Sequence, residues 1–152
     1  MTADPSRPVH RIVVGVDGSA SSKAALAWAI GQAQLTGAVV EAVTAWEFPN
    51  SYGYPAPILN VDFAELATET VTHAIAEVTA GADTAEVWYR VVEGNPARVL
   101  LDESADADLL VVGSRGHGGF VEALLGSTGQ HCVHHATCPV VVIREPTTGQ
   151  PH

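Results

Sequence analysis

Arg11-Ile-Val-Val-Gly-Val-Asp-Gly-Ser19 is the stretch on which the fold turns. Arg11 to Val16 is a short apolar run rich in β-branched side chains, and Asp17-Gly18-Ser19 then punctuates it. A strand buried on both faces reads this way, because it shows no polar-apolar alternation. Strands of that kind belong in the middle of a parallel sheet with helices on both sides. The residues on either side support this. From Lys23 to Thr36 the chain is rich in alanine and predicts a helix, with Leu26, Trp28, Ile30, Ala33 and Leu35 as its apolar face. Ser19, Ser21 or Ser22 can cap the start by accepting a free N–H, and Gly37 provides a natural stop.

The alternation continues to the end of the chain. Ala38 to Trp46 is a second apolar run, followed by a proline- and glycine-rich loop over residues 47–60 that carries Tyr52 and Tyr54. Loops this long are often functional, though Trp46, Tyr52 and Tyr54 fit either a core or a lid. Leu66, Val71, Ala74, Ile75 and Val78 recur at helical spacing between Asp62 and Thr79, with Gly81 ending the segment. Thr84 to Val92 predicts a strand with Val87, Tyr89 and Val91 on one face. Asn95-Pro96 is a strong helix start, with Asn as cap and Pro in the first turn. That helix runs to about Ala105. Leu109 to Val112 is a fourth buried strand, Ser127 to Ala136 a last helix and Pro139 to Ile143 a fifth strand. The predicted fold is α/β: a single doubly wound, five-stranded parallel sheet with helices on both faces. The expected organisation is a flexible N-terminus over 1–10, one domain over 11–144 and a frayed tail over 145–152.

Composition narrows the partners. The 152 residues include 17 acidic against 7 basic ones, a formal net charge of −10. The basic residues Arg7, Arg11, Lys23, Arg90, Arg98, Arg115 and Arg144 form no run. Such a chain repels a phosphate backbone and an anionic bilayer at long range, so neither nucleic acid nor membrane is an expected partner. With 47% hydrophobic residues it is not a disordered chain. Met1 to Pro8 lacks the apolar centre of a signal peptide. Cys132 and Cys138 are too few for a disulfide framework, so cytoplasmic localisation is expected.

In a doubly wound sheet, ligands bind beyond the carboxyl ends of the strands. The richest loop there is Gly113-Ser-Arg-Gly-His-Gly-Gly119, directly after the fourth strand. Glycines let the main chain turn freely and let a ligand approach, and successive N–H groups in such a turn can cradle an anion. Gly126-Ser127-Thr128 opens the last helix, where a hydroxyl and unpaired N–H groups suit a further phosphate oxygen. Arg115 and His117 are the nearby candidates for side-chain charge. Two common phosphate signatures fail. The P-loop needs a lysine that the sole Lys23 cannot supply, and Gly15-Val-Asp-Gly18 is not G-x-G-x-x-G.

The spacing that holds is Gly113-x2-Gly116-x9-Gly126-Ser127. With it, with Val13-Val-Gly-Val-Asp-Gly-Ser19, with Val91-Val-Glu-Gly-Asn-Pro-Ala97 and with Gly126-Ser through Cys138-Pro-Val-Val-Val142, the chain resembles the universal stress protein family, in its ATP-binding subgroup. The likeness covers roughly Arg11 to Arg144 and implies an adenine-nucleotide alpha-hydrolase-like fold. It further implies ATP as ligand, with Mg2+ or Mn2+ on the phosphates, and a nucleotide-dependent regulatory switch in stress response. Under it, Gly15 and Asp17 wall the adenosine, with Asp17 near the ribose, and the backbone of Ala45 recognises adenine. Gly113, Gly116 and the main chain of His117, Gly118 and Gly119 cradle phosphate, with Ser114 and Arg115 in the same loop. Gly126, Ser127 and Thr128 hold the distal phosphates. The chain departs from the family at Thr128, commonly Val, and at Gly129, commonly Ser or Thr. The resemblance also implies a homodimer through the last strand, Val140 to Ile143.

Each of these has a plainer counterpart. Asp17 also suits a cap or turn. His131, Cys132, His134, His135 and Cys138 invite a metal reading, but no second cluster exists to complete a tetrahedral site, so packing and surface roles are expected. No catalytic residues are assigned: Ser127 and His117 lack an orienting third group, so at most weak ATP hydrolysis is expected. The alternatives are a slow metal-dependent ATPase or phosphotransferase, and a dimeric interaction module that binds no nucleotide.

Overall fold

The computed structural model describes residues 10–48, 62–80, 85–114 and 125–145. The expected flexible N-terminus and frayed tail lie almost wholly outside these residues, as do Tyr52, Tyr54 and Gly81. Among the described residues, five strands and four helices alternate: β1 (Arg11–Gly15), α1 (Ala20–Thr36), β2 (Val39–Trp46), α2 (Phe63–Thr79), β3 (Val87–Glu93), α3 (Pro96–Glu103), β4 (Leu109–Gly113), α4 (Ser127–His135) and β5 (Val140–Ile143). All neighbouring strands pair in parallel, in the order β3-β2-β1-β4-β5. This is the doubly wound, five-stranded sheet that the apolar runs predict.

β1, β2 and β4 bury side chains on both faces, which accounts for their lack of alternation, whereas the edge strands β3 and β5 carry half-buried and, on β3, exposed residues. Ile12 and Val14 join Leu26, Ile30 and Val71 in one core, beneath α1 and α2. Val13 joins Val43, Leu100, Leu110 and Cys132 in the other, beneath α3 and α4. On β3, Val87, Tyr89 and Val91 pair with Val40, Ala42 and Thr44, so they lie on one face as expected; Val87 and Val91 pack against the α1/α2 core, while Tyr89 is 48% exposed.

The helix ends follow their local chemistry. Ser19 is the α1 cap, accepting the Ser22 N–H, and Gly37 closes that helix at φ 78°. α1 thus begins at Ala20, one turn earlier than the alanine-rich run suggests. Its expected apolar face is corrected too. Leu26, Ile30 and Ala33 are buried with Ala25 and Ala29, whereas Trp28 is 37% and Leu35 84% exposed. Residues 25, 26, 29, 30 and 33 follow the i, i+4 spacing of one helical stripe, and 28 and 35 fall outside it. Likewise on α2, Val71 and Ala74 are buried while Leu66 is 48% exposed. Asn95 caps α3 by accepting the N–H groups of Ala97 and Arg98 at 3.1 and 3.2 Å. The amino ends of the strands are tied by charge: Arg11 pairs with Glu41 at 3.2 Å and donates to the Glu103 carbonyl.

Candidate functional site

Parallel strands put all their carboxyl ends on one side. From there β1 leads through α1 to β2, while β4 leads through α4 to β5 on the opposite flank of the sheet. The two connections diverge, so a crevice opens between the carboxyl ends of β1 and β4.

One wall is the turn after β1. The Val16 N–H donates to the Val43 carbonyl at 2.9 Å, and the buried Thr44 hydroxyl donates to the Val16 carbonyl at 2.7 Å. These bonds fix where β1 stops. Gly18 then takes φ 85°, a left-handed conformation that favours glycine. Asp17 is exposed, and its Oδ1 accepts the Ser19 N–H at 2.9 Å. Its own N–H donates to the Ser22 hydroxyl at 3.3 Å. The turn-forming role weighed for Asp17 is therefore present. Gly15 faces α3: a Cβ there would sit 2.7 Å from Leu100 Cδ1. Its small size serves helix–sheet packing.

The other wall gathers three segments around Ser114. The Ser114 N–H donates to the Ile143 carbonyl and the Gly126 N–H donates to the Ser114 carbonyl, both at 2.8 Å. The end of β4, the end of β5 and the start of α4 are thereby held together. Gly126 is the α4 cap residue in an extended conformation, with no side-chain capping bond. The N–H groups of a helix's first turn have no intrahelical acceptor, and a glycine cap has no side chain to supply one. Ser127 is exposed and Thr128 half-buried at this edge. Gly129 is buried, and a Cβ on it would meet Leu125 Cδ1 at 2.8 Å. The departure from Ser or Thr at this position is thus matched by the leucine packed on it.

Gly113 has a close neighbour that its place in a glycine motif does not reveal. An added Cβ would lie 2.6 Å from Ser21 Oγ, 2.7 Å from the Ser21 carbonyl carbon and 2.8 Å from the Ser22 nitrogen. The first turn of α1 rests directly on the end of β4. Ser21 and Ser22 are read in the sequence only as alternative caps for α1, and Thr44 is not singled out there at all. The only local signal at Thr44 is a hydroxyl within an apolar run.

At the end of β2, Ala45 is half-buried on the α3/α4 face, in register with Val92. Trp46, Phe48 and Phe63 form an edge-to-face chain beside it, with centroids 5.2 and 5.8 Å apart. The structure therefore brings Gly15, Asp17, Ala45, Gly113, Ser114, Gly126, Ser127 and Thr128 to one end of the sheet. Arg115, Gly116, His117, Gly118 and Gly119 lie outside the described residues.

Both cysteines are free thiols. Burial, with a smaller contribution from Cys138, pushes the Cys132 thiol up to about 11. Burial also raises Cys138, against a hydrogen bond with Ser104 that lowers it. Among the described residues, no group of three or more His, Cys, Asp or Glu is arranged to hold a metal, and no helix is long and apolar enough to cross a membrane.

The same architecture recurs in known proteins. A universal stress protein from Lactobacillus plantarum superposes with a TM-score of 0.70 at 26% identity, over 91% of this chain and 99% of that one. A universal stress protein solved in complex with cAMP gives a TM-score of 0.64 at 28% identity, over 90% and 98% of the two chains. A universal stress protein of Mycobacterium tuberculosis is 35% identical over 142 residues, spanning 90% of this chain and 46% of the relative. One of Mycobacterium bovis is 37% identical over 143 residues, spanning 91% and 47%. The chain thus spans about half the length of these curated relatives. The model of the universal stress protein family matches residues 8–144, taking in every element from β1 to β5. On that match, and on a sheet order and crevice built to suit it, the chain belongs to the universal stress protein family.

Proposed function

We propose that the crevice between β1 and β4 binds an adenine nucleotide, ATP with a divalent cation, and that occupancy acts as a regulatory signal in the stress response. The observation that carries this reading is the uncapped start of α4, drawn against the end of β4 by the bond from Gly126 to Ser114. A helix start aimed at a switch-point crevice suits a phosphate: N–H groups and the positive end of the helix dipole meet there. The 28%-identical relative complexed with cAMP supports an adenine nucleotide as ligand class.

The roles proposed follow the family motif. Gly15 and Asp17 border the sugar, and the backbone of Ala45 meets the base. Gly113, Ser114, Arg115, Gly116, His117, Gly118 and Gly119 supply the phosphate loop. Gly126, Ser127 and Thr128 take the outer phosphates. With a net charge of −10, the chain has few basic groups to offset a triphosphate, so Mg2+ or Mn2+ accompanies the nucleotide. β5 is an edge strand, half-buried along Val140–Ile143, and it pairs with a second copy in a homodimer. The protein works in the cytoplasm, and chemistry on the nucleotide is at most slow.

Gentle purification followed by denaturation and mass analysis of the released small molecules tests this. An adenine nucleotide carried through purification supports the proposal. An empty protein that also fails to bind ATP with Mg2+ on titration refutes it and favours the nucleotide-free interaction module. Hydrolysis followed over hours separates a switch from a slow ATPase.

A further inference from the structure

The histidines of α4 take no part in the crevice chemistry above. Along this helix Gly129 and Cys132 are buried, while His131, His134 and His135 are exposed. His131 and His135 stand one turn apart, so their side chains share a face. Their ring centroids are 5.9 Å apart and their planes meet at 36°. Two imidazoles that share one cation at about 2.0–2.1 Å each bring their ring centres to about 5 Å. Side-chain rotation alone closes a gap of that size.

A second contact prepares one of the rings. His131 Nδ1 lies 3.3 Å from the Ser127 carbonyl oxygen. A carbonyl only accepts, so the ring donates through Nδ1, and the neutral tautomer carries its lone pair on Nε2. Metal-binding histidines are commonly held in this way, with the far nitrogen left to coordinate.

We infer that His131 and His135 form an open, two-imidazole site for a divalent transition cation of the Cu2+, Ni2+ or Zn2+ class, with water filling the other positions. Among the described residues no cluster completes a closed tetrahedral site; an open chelate needs only the two rings. Cys132 faces the core and is 0% exposed, so it adds no ligand. The His134 ring stands farther from His135, with centroids 6.4 Å apart and planes at 56°, and it is turned about 100° round the helix axis from it. The chelate assigned is therefore the His131–His135 pair, in which the Ser127 carbonyl also orients one ring. Mg2+ and Ca2+ prefer oxygen ligands, which separates this site from any cation carried by a nucleotide. The inference does not depend on the nucleotide reading.

The test is a titration of the metal-free full chain with NiCl2 or ZnCl2 in a non-coordinating buffer, without nucleotide. One ion per chain is expected. His131→Asn and His135→Asn should each weaken binding at least about tenfold, since even outer partners of a ligand are worth that much. His134→Asn, on the surface beside the site, should change it by no more than about twofold. In the wild type, Ni2+ should broaden the amide and imidazole NMR signals of His131 and His135 before any others, and this readout holds even if a variant misfolds. Lack of saturable binding up to about 1 mM would overturn the inference. So would wild-type affinity in both single variants, first broadening elsewhere, or an equal loss in His134→Asn.

Discussion

The main-chain N–H of Gly126 meets the Ser114 carbonyl at 2.8 Å, so the start of α4 and the end of β4 form one edge of the crevice. Ser114 in turn donates to Ile143 at the end of β5. Three elements therefore meet through two backbone bonds, and neither depends on side-chain identity. Ser114 and Gly126, which flank the glycine-rich stretch, are thereby held together.

Gly113 is held by packing whether or not a ligand is present. Gly113→Ala should destabilise the fold by about 1–3 kcal/mol, the usual range for overpacking, because its Cβ would press on the Ser21 and Ser22 backbone. Urea unfolding without nucleotide measures this. Unchanged stability would show that the first turn of α1 can yield. Loss of binding in a Gly113 variant is therefore ambiguous, and Ser127→Ala, at an exposed hydroxyl, probes the crevice more cleanly.

The buried Thr44 hydroxyl should matter to the same degree in any ligand state. Thr44→Val keeps the shape but removes the bond to the Val16 carbonyl, at a cost of about 1 kcal/mol. Equilibrium unfolding checks the size, and amide exchange should quicken first around Val16 and Asp17. If exchange there is unaltered, the bond does not fix the end of β1.

Cys132 gives a pH signature. Its thiol titrates at about 11 in the fold against 9.0 ordinarily, so between those values the unfolded chain holds fewer protons than the native one. Stability is then complete below pH 9 and falls as pH rises towards 11. Cys132→Ala should be less stable overall but show a shallower decline across that window. An equally steep decline in both proteins would mean that other groups control it.

Much of this was legible in the sequence because it is local. Asn95-Pro96 declares the start of α3, Gly37 the end of α1, and each unbroken apolar run a strand covered on both faces. The order of β and α segments then dictates a parallel sheet. What was hidden depends on contacts between distant segments. A glycine that admits a ligand and one that admits a helix both lack a Cβ, so Gly113 reads the same until Ser21 is seen against it. Trp28 and Leu35 looked like core because hydrophobicity is local, whereas the buried stripe of α1 is set by β1 and β4. At the crevice, the sequence spacing names Gly113 and Gly126, but the pairing of Ser114 with both Gly126 and Ile143 needs the fold.

The central claim, an adenine nucleotide at the β1–β4 crevice, is tested most directly by amide NMR of the full chain titrated with ATP and Mg2+. The account predicts saturable shifts concentrated at Asp17, Ala45, Ser114, Gly126, Ser127 and Thr128, weakened in Ser127→Ala. Shifts confined to the opposite end of the sheet around Arg11 and Asp108, or none up to about 1 mM ATP, would contradict it.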